Sequence, residues 1–123
     1  MSDYVAGSCN IGPSEIKRRK QGAVLGGFLY LVTAISFLLT DAPTSTRLIS
    51  FIPAMLFSVG YIQSRRKFCV AYGFLGIFNF EKLGNTKKIK INQDLKADRK
   101  YAVKLLLQSA VAAIVLTGVV IFI

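Results

Sequence analysis

Three stretches of the chain carry neither a charge nor a regular alternation of apolar and polar positions. Residues 23–40 read AVLGGFLYLVTAISFLLT, residues 48–64 read LISFIPAMLFSVGYIQS, and residues 105–123 read LLLQSAVAAIVLTGVVIFI. A helix that is apolar all round must be covered by other protein or lie in lipid. At 1.5 Å per residue these stretches cover about 25–29 Å, close to the roughly 30 Å hydrocarbon core of a bilayer. Three of them could not all be internal in a soluble core built from 123 residues. The pattern predicts an all-α membrane protein with three transmembrane helices in one membrane domain. Residues 1–22 form an N-terminal segment and helix start, 23–40 the first span, 41–47 an outer loop, 48–64 the second span, 65–104 a basic loop and helix start, and 105–123 the third span. Pro53 lies near the start of the second span, where a missing N–H is tolerated. The first stretch does not read as a signal peptide, because it begins after 22 residues and Thr40-Asp41-Ala42-Pro43 is no small-residue cleavage pattern.

Local signals place the connections. Gly12-Pro13-Ser14-Glu15 reads as a helix start, with proline preorganised for the first turn and Glu15 facing the positive end of the helix dipole. Phe68 to Gly84 begins with 13 uncharged residues, too few to cross, and Phe68, Tyr72, Phe74, Phe78 and Phe80 supply five of the chain's 14 aromatic residues. Such rings settle at the headgroup boundary. Gly73 and Gly76 weaken a helix there and favour a turn or hairpin, and the alternation over Thr86-Lys87-Lys88-Ile89-Lys90-Ile91 suggests a short strand. The 65–94 loop is therefore expected to form a small cytoplasmic cap, with a β-hairpin or an interfacial segment. Asn92, Gln93 and Asp94 offer a cap for a last helix beginning near Leu95.

Charge orients this scheme. The chain has 16 Lys and Arg against 6 Asp and Glu, a formal charge of +10, alongside a mean hydropathy of +0.50. Lys17, Arg18, Arg19 and Lys20 precede the first span and Arg47 alone follows it. Arg65, Arg66, Lys67, Lys82, Lys87, Lys88, Lys90, Lys96, Arg99, Lys100 and Lys104 lie between the second and third spans. With alternating spans, 15 of the 16 fall on one side, which the positive-inside rule makes cytoplasmic. The protein is expected in the inner (cytoplasmic) membrane, N-terminus cytoplasmic and C-terminus outside. The excess charge then reads as topology and adhesion to an anionic leaflet rather than nucleic-acid binding. The lipid and interface candidates are Lys17, Arg18, Arg19, Lys20, Arg65, Arg66, Lys67, Phe68, Tyr72, Phe74, Phe78 and Phe80.

Candidate chemistry is sparse. The chain has no His, so imidazole-based acid/base catalysis and metal ligation are excluded within it. Cys9 and Cys69 both fall on the side where thiols stay reduced, and two thiols are too few for a zinc or iron–sulfur site. They read as packing residues that bring the N-terminal segment against the middle loop; a thiol-redox or metal-binding role for the pair is the alternative. Glu15, Asp41, Glu81, Asp94 and Asp98 lie in flanks or loops, which argues against a transporter that needs an intramembrane ionisable group. Thr33, Ser36, Ser50, Ser58, Gln108 and Ser109 are expected to bond between helices, and Gly22, Gly26 and Gly27 to let a second helix approach. No catalytic residue, metal ligand or cofactor is assigned.

Cys9-Asn10-Ile11-Gly12-Pro13, Glu15-Ile16, Arg18-Arg19, Gly60, Gln63, Phe68-Cys69, Gly73, Gly76, Phe78-Asn79-Phe80, Leu83-Gly84 and Asp98-Arg99 form a pattern across nearly the whole chain. It resembles a family of small uncharacterised bacterial three-span membrane proteins with a Cys-Asn-Ile-Gly N-terminal motif and a Phe-Cys…Phe-Asn-Phe middle loop. The resemblance implies that Cys9, Cys69 and Phe78-Asn79-Phe80 belong to one shared cytoplasmic feature, and it carries no activity, ligand or partner. The expected role is non-catalytic: an accessory or stabilising subunit of a larger membrane complex, or a lipid-associated scaffold, with other membrane subunits or further copies of itself as partners. A small oligomeric channel or transporter is a further alternative.

Overall fold

The computed structural model describes residues 4–80 and 86–123. Lys82 of the basic count, Glu81 of the acids, and Leu83 and Gly84 of the resemblance lie outside the described residues. The elements in chain order are α1 (Pro13–Leu39), α2 (Thr44–Arg47), a 3-10 turn (Leu48–Ser50), α3 (Phe51–Arg66), α4 (Val70–Leu75), β1 (Ile77–Phe78), β2 (Lys87–Lys88) and α5 (Asn92–Phe122). Three helical stretches, Pro13–Leu39, Thr44–Arg66 and Asn92–Phe122, are long and apolar enough to cross a membrane. The fold is thus helical with three candidate spans and a two-stranded sheet in the connecting loop.

α3 is packed between α1 and α5. Small residues set the α1–α3 distance. A Cβ on Gly26 would stand 2.5 Å from the Phe57 backbone nitrogen, and one on Gly60 would stand 2.8 Å from that of Ala23. Gly27 lies against the Phe57 ring, whereas a Cβ on Gly22 would meet nothing within 4 Å. The close approach is therefore made by Ala23 and Gly26 with Gly60, and Gly22 does not take part in it. α1 and α5 meet where the Tyr30 hydroxyl donates to the Leu116 carbonyl at 2.7 Å. Ser109 departs from the expected interhelical role: its hydroxyl returns to Leu105 O, one turn back on its own helix, at 2.8 Å. Ser50 similarly donates to Arg47 O at 2.7 Å.

The helix ends explain the boundaries. α1 begins at Pro13 with Gly12 at its N-cap and Glu15 in its first turn. α5 begins at Asn92, three residues before the expected Leu95, with Ile91 at its N-cap and no side-chain cap; Asn92 and Asp94 are inside the first turn instead. The 41–47 connection is partly helical, because α2 and the 3-10 turn lead into α3. Pro53 is the third residue of α3, within the turn where its missing N–H has no helical partner to lose. α3 stops at Lys67, which takes the left-handed conformation (φ 54°) with its N–H on Gln63 O. Gly73 does not break the helix as expected. It lies inside α4, where a Cβ would stand 2.8 Å from the Phe68 ring and 2.9 Å from the Ala102 Cβ. The break comes at Gly76 (φ 73°), which caps α4 and turns the chain into β1. β1 pairs antiparallel with β2, Ile77 opposite Lys88 and Phe78 opposite Lys87.

The end opposite this loop is closed by Arg47. Its Nε donates to Ala42 O at 2.8 Å and its Nη1 to Val120 O at 2.9 Å. Those bonds satisfy a carbonyl in the last turn of α5, where a cation also suits the helix dipole.

Candidate functional site

The N-terminus of α1, the C-terminus of α3 and the N-terminus of α5 come together, and the segments between them lace into a polar cluster. Tyr4 to Cys9 makes a tight turn with Val5 and Cys9 exchanging both backbone hydrogen bonds (3.0 and 2.9 Å). Gly7 at φ 68° provides the left-handed residue that a side chain would strain. The Asp98 carboxylate of α5, fully buried, holds this turn. It accepts the Tyr4 hydroxyl on Oδ2 and the Gly7 N–H on Oδ1, both at 2.7 Å. Burial, and then the bond to Asp98, push the Tyr4 phenol well above its ordinary range.

Asn10 is the centre of the lacing. Its side-chain amide bonds both backbone groups of Cys69, donating to the carbonyl at 3.2 Å and accepting from the N–H at 2.7 Å. Its backbone N–H donates to Lys67 O at 3.1 Å and its carbonyl accepts from Asn79 N at 2.9 Å. One residue on, Ile11 forms a parallel bridge with Asn79, and Gly12 N donates to Asn79 O at 2.8 Å. A Cβ on Gly12 would stand 2.8 Å from the Phe80 Cα, so only glycine permits this approach. From the other side, Gln63 Oε1 accepts the Val70 N–H at 2.8 Å, holding the first turn of α4 against α3.

A second group lies one turn along α1. The Glu15 carboxylate is fully buried, with Arg19 Nη2 3.2 Å from its Oε2, and neither oxygen receives an aligned hydrogen bond from the described residues. The same Arg19 Nη2 donates to Cys69 Sγ at 2.9 Å, and the guanidinium lies 5.8 Å over the Tyr72 ring. Burial, and then the nearby Glu15 carboxylate, push the Tyr72 phenol up from its ordinary value.

The thiol candidates are both thiols with separate surroundings. Cys69 is buried and faces Arg19, while Cys9 is half-buried with its Sγ 3.8 Å from Ile11 O. No group of His, Cys, Asp and Glu among the described residues could hold a metal ion. The interface candidates divide. Lys17, Arg18, Lys20, Arg65, Arg66, Lys67 and Phe74 are exposed, while Tyr72, Phe78 and Phe80 are half-buried. Phe78 stacks on Tyr4 (4.8 Å between centroids) and leans on Phe80 (6.0 Å). Two candidates turn inward. Phe68 is fully buried, edge-on to Tyr101 in a core with Val70, Ala102 and Leu105. Arg19 is spent on Glu15 and Cys69.

The cluster thus joins Cys69 and Phe78-Asn79-Phe80 to the Asn10 motif. Sequence reasoning did not find the pairing of Asn10 with the Cys69 backbone, the burial of Glu15 and Asp98, or the capping of α5 by Arg47. For Arg47 a signal was available: a lone cation beside a membrane span needs a partner. No protein-family model matches the chain, and no curated protein or solved structure matches it significantly.

Proposed function

We propose that this chain is a non-catalytic integral membrane protein that serves as an accessory subunit or lipid-associated scaffold. The supporting observation is how its conspicuous polar residues are used. The side chains of Asn10, Gln63 and Asp98 are bonded to the chain's own backbone or to Tyr4, and the backbones of Gly12 and Asn79 join them, so their chemistry goes into closing the cap. The outward faces of α1 and α5 meanwhile remain apolar, with Leu25, Phe28, Val32, Leu107, Val111 and Ile114 exposed. In a bilayer those faces meet lipid or another helix. Among the described residues, 14 of the 15 basic residues lie on the cap side of the apolar runs, which supports a cytoplasmic cap, a cytoplasmic N-terminus and placement in the inner membrane. The membership suggested by the Cys-Asn-Ile-Gly and Phe-Asn-Phe motifs belongs to the same reading. Gentle extraction from native membranes, followed by native electrophoresis and identification of co-migrating chains, tests it. The protein is expected in an assembly with other membrane subunits or copies of itself, and recovery only as a free monomer would overturn the subunit reading.

A second reading, thiol chemistry at Cys69, draws on the Arg19 guanidinium 2.9 Å from its sulfur. The burial of Cys69, which keeps reagents from that sulfur, weighs the other way. Unchanged growth and membrane phenotype in a Cys9→Ser/Cys69→Ser strain would remove it.

A further inference from the structure

We propose that the groove between α1 and α3 at the basic end of the molecule is a binding site for one anionic phospholipid. Two matched ridges build it. On α1, Lys20, Val24 and Phe28 follow one another at intervals of four residues, and on α3 Arg65, Tyr61 and Phe57 do so in the opposite chain direction. Four-residue spacing stacks side chains on one helix face. Because the helices are antiparallel, each ridge has its cation at the same end and its aromatic ring at the other. All six residues line one groove of about 400 Å³, floored by Ala23 and Gly27, and the Phe57 and Tyr61 rings stack 5.9 Å apart along one wall.

The dimensions fit one leaflet. Lys20 to Phe28 spans about 12 Å of helix, most of the roughly 15 Å depth of hydrocarbon in a single leaflet. From Lys20 to Leu39, the end of α1, is about 29 Å, so placing Lys20 at one boundary places Leu39 at the other. A lipid seated here puts an acyl chain on Val24, Phe28 and Phe57 and its phosphate between Lys20 and Arg65, whose side chains are exposed and long enough to reach the headgroup level. Charge complementarity selects an anionic phospholipid. A second protein helix would bring both cations against a partner that would have to supply carboxylates at the membrane boundary. The glycine floor also matters: Gly27 leaves the depth that a side chain would fill. The proposal rests on the reading that the basic end faces an anionic leaflet.

The chain has no Trp, so Phe28→Trp places a single reporter inside the groove. The full-length protein is reconstituted in phosphatidylcholine vesicles containing phosphatidylglycerol, with bromine on the acyl chains of one lipid or the other. Per mole, brominated phosphatidylglycerol is expected to quench as though enriched about 30-fold at the groove, the equivalent of about 1 kcal/mol per cation. Lys20→Gln/Arg65→Gln should abolish the enrichment. The charge-preserving Lys20→Arg/Arg65→Lys should keep it, as should Lys90→Gln/Lys96→Gln, which removes two exposed cations elsewhere on the cap. Equal loss in both Gln pairs would overturn the groove while leaving general adhesion of the basic surface intact. No preference for the anionic lipid in any variant would overturn both.

Discussion

Asn10→Ala should loosen the whole cap, and the structure allows the size of the effect to be worked out. The side chain is fully buried and its two bonds to Cys69 join segments 59 residues apart. Alanine leaves the Cys69 N–H and carbonyl without those partners in a site that solvent does not reach. Each stranded group costs about 1–3 kcal/mol, and a water entering the space left by the amide can recover part of that. The net loss is therefore placed at about 2–3 kcal/mol. Cys69 itself supplies the assay, because its buried thiol can be alkylated only when the cap opens. In a Cys9→Ser background it is the sole thiol of the chain, and the ratio of alkylation rates with and without Asn10→Ala at one pH reports the change in opening free energy. An acceleration of about 30- to 150-fold is expected. Less than about threefold would mean that these bonds contribute under ~0.7 kcal/mol and that Asn10 does not hold the cap together.

Gly26→Ala and Gly60→Ala should each destabilise the α1–α3 pair by about 1–3 kcal/mol through backbone overlap, while Gly22→Ala should leave thermal stability in detergent unchanged; equal effects at all three positions would refute the crossing. Arg47→Gln should lower the protection of the last turn of α5 in hydrogen exchange without changing Cys69 alkylation, since its bonds end on Ala42 and Val120. The raised pKa values of Tyr4 and Tyr72 mean that their neutral forms are favoured by folding. That contribution is complete below the unfolded phenol value of about 10 and is lost as pH rises above it. Tyrosinate absorbance should show the Tyr4 and Tyr72 phenols titrating late, and Asp98→Asn should return Tyr4 toward the ordinary value; an unmoved Tyr4 would contradict the bond to Asp98.

How much of this was legible in the sequence depends on the range of the interactions concerned. The spans are continuous apolar runs, each readable without knowledge of any other residue, and Pro13 marked the start of α1 for the same local reason. The β1–β2 pair was announced by alternation over Thr86 to Ile91. Local signals misled where a tertiary contact decided the outcome. Gly73 reads as a helix breaker, yet it is inside α4 because the Phe68 ring and Ala102 leave no room for a side chain there. Phe68 reads as an interfacial aromatic for its position beside Arg65-Arg66-Lys67, yet the left-handed Lys67 turns it into the core.

The cap residues show the limit from the other direction. Asn10 was legible only as a member of a motif and Cys69 only as a packing residue, and it takes long-range geometry to turn them into a reciprocal pair. Glu15 was legible as a dipole partner for α1 but not as a buried acid, since Cys69 and Tyr72, which meet Arg19 beside it, arrive from a distant part of the chain. Breaking such a pair is costly, because the surviving charge is left without its partner. Glu15→Gln should therefore destabilise the cap even though neither carboxylate oxygen has an aligned hydrogen bond from the described residues. Arg19→Leu in the Glu15→Gln background should recover part of that loss, by removing a half-buried cation that no longer has an acid to face. The double-mutant cycle, read by Cys69 alkylation in the Cys9→Ser background, should give a coupling of about 1–3 kcal/mol. Additive effects would mean that Arg19 is held by Cys69 and Tyr72 alone, and that its pairing with the buried acid contributes nothing to closing the cap.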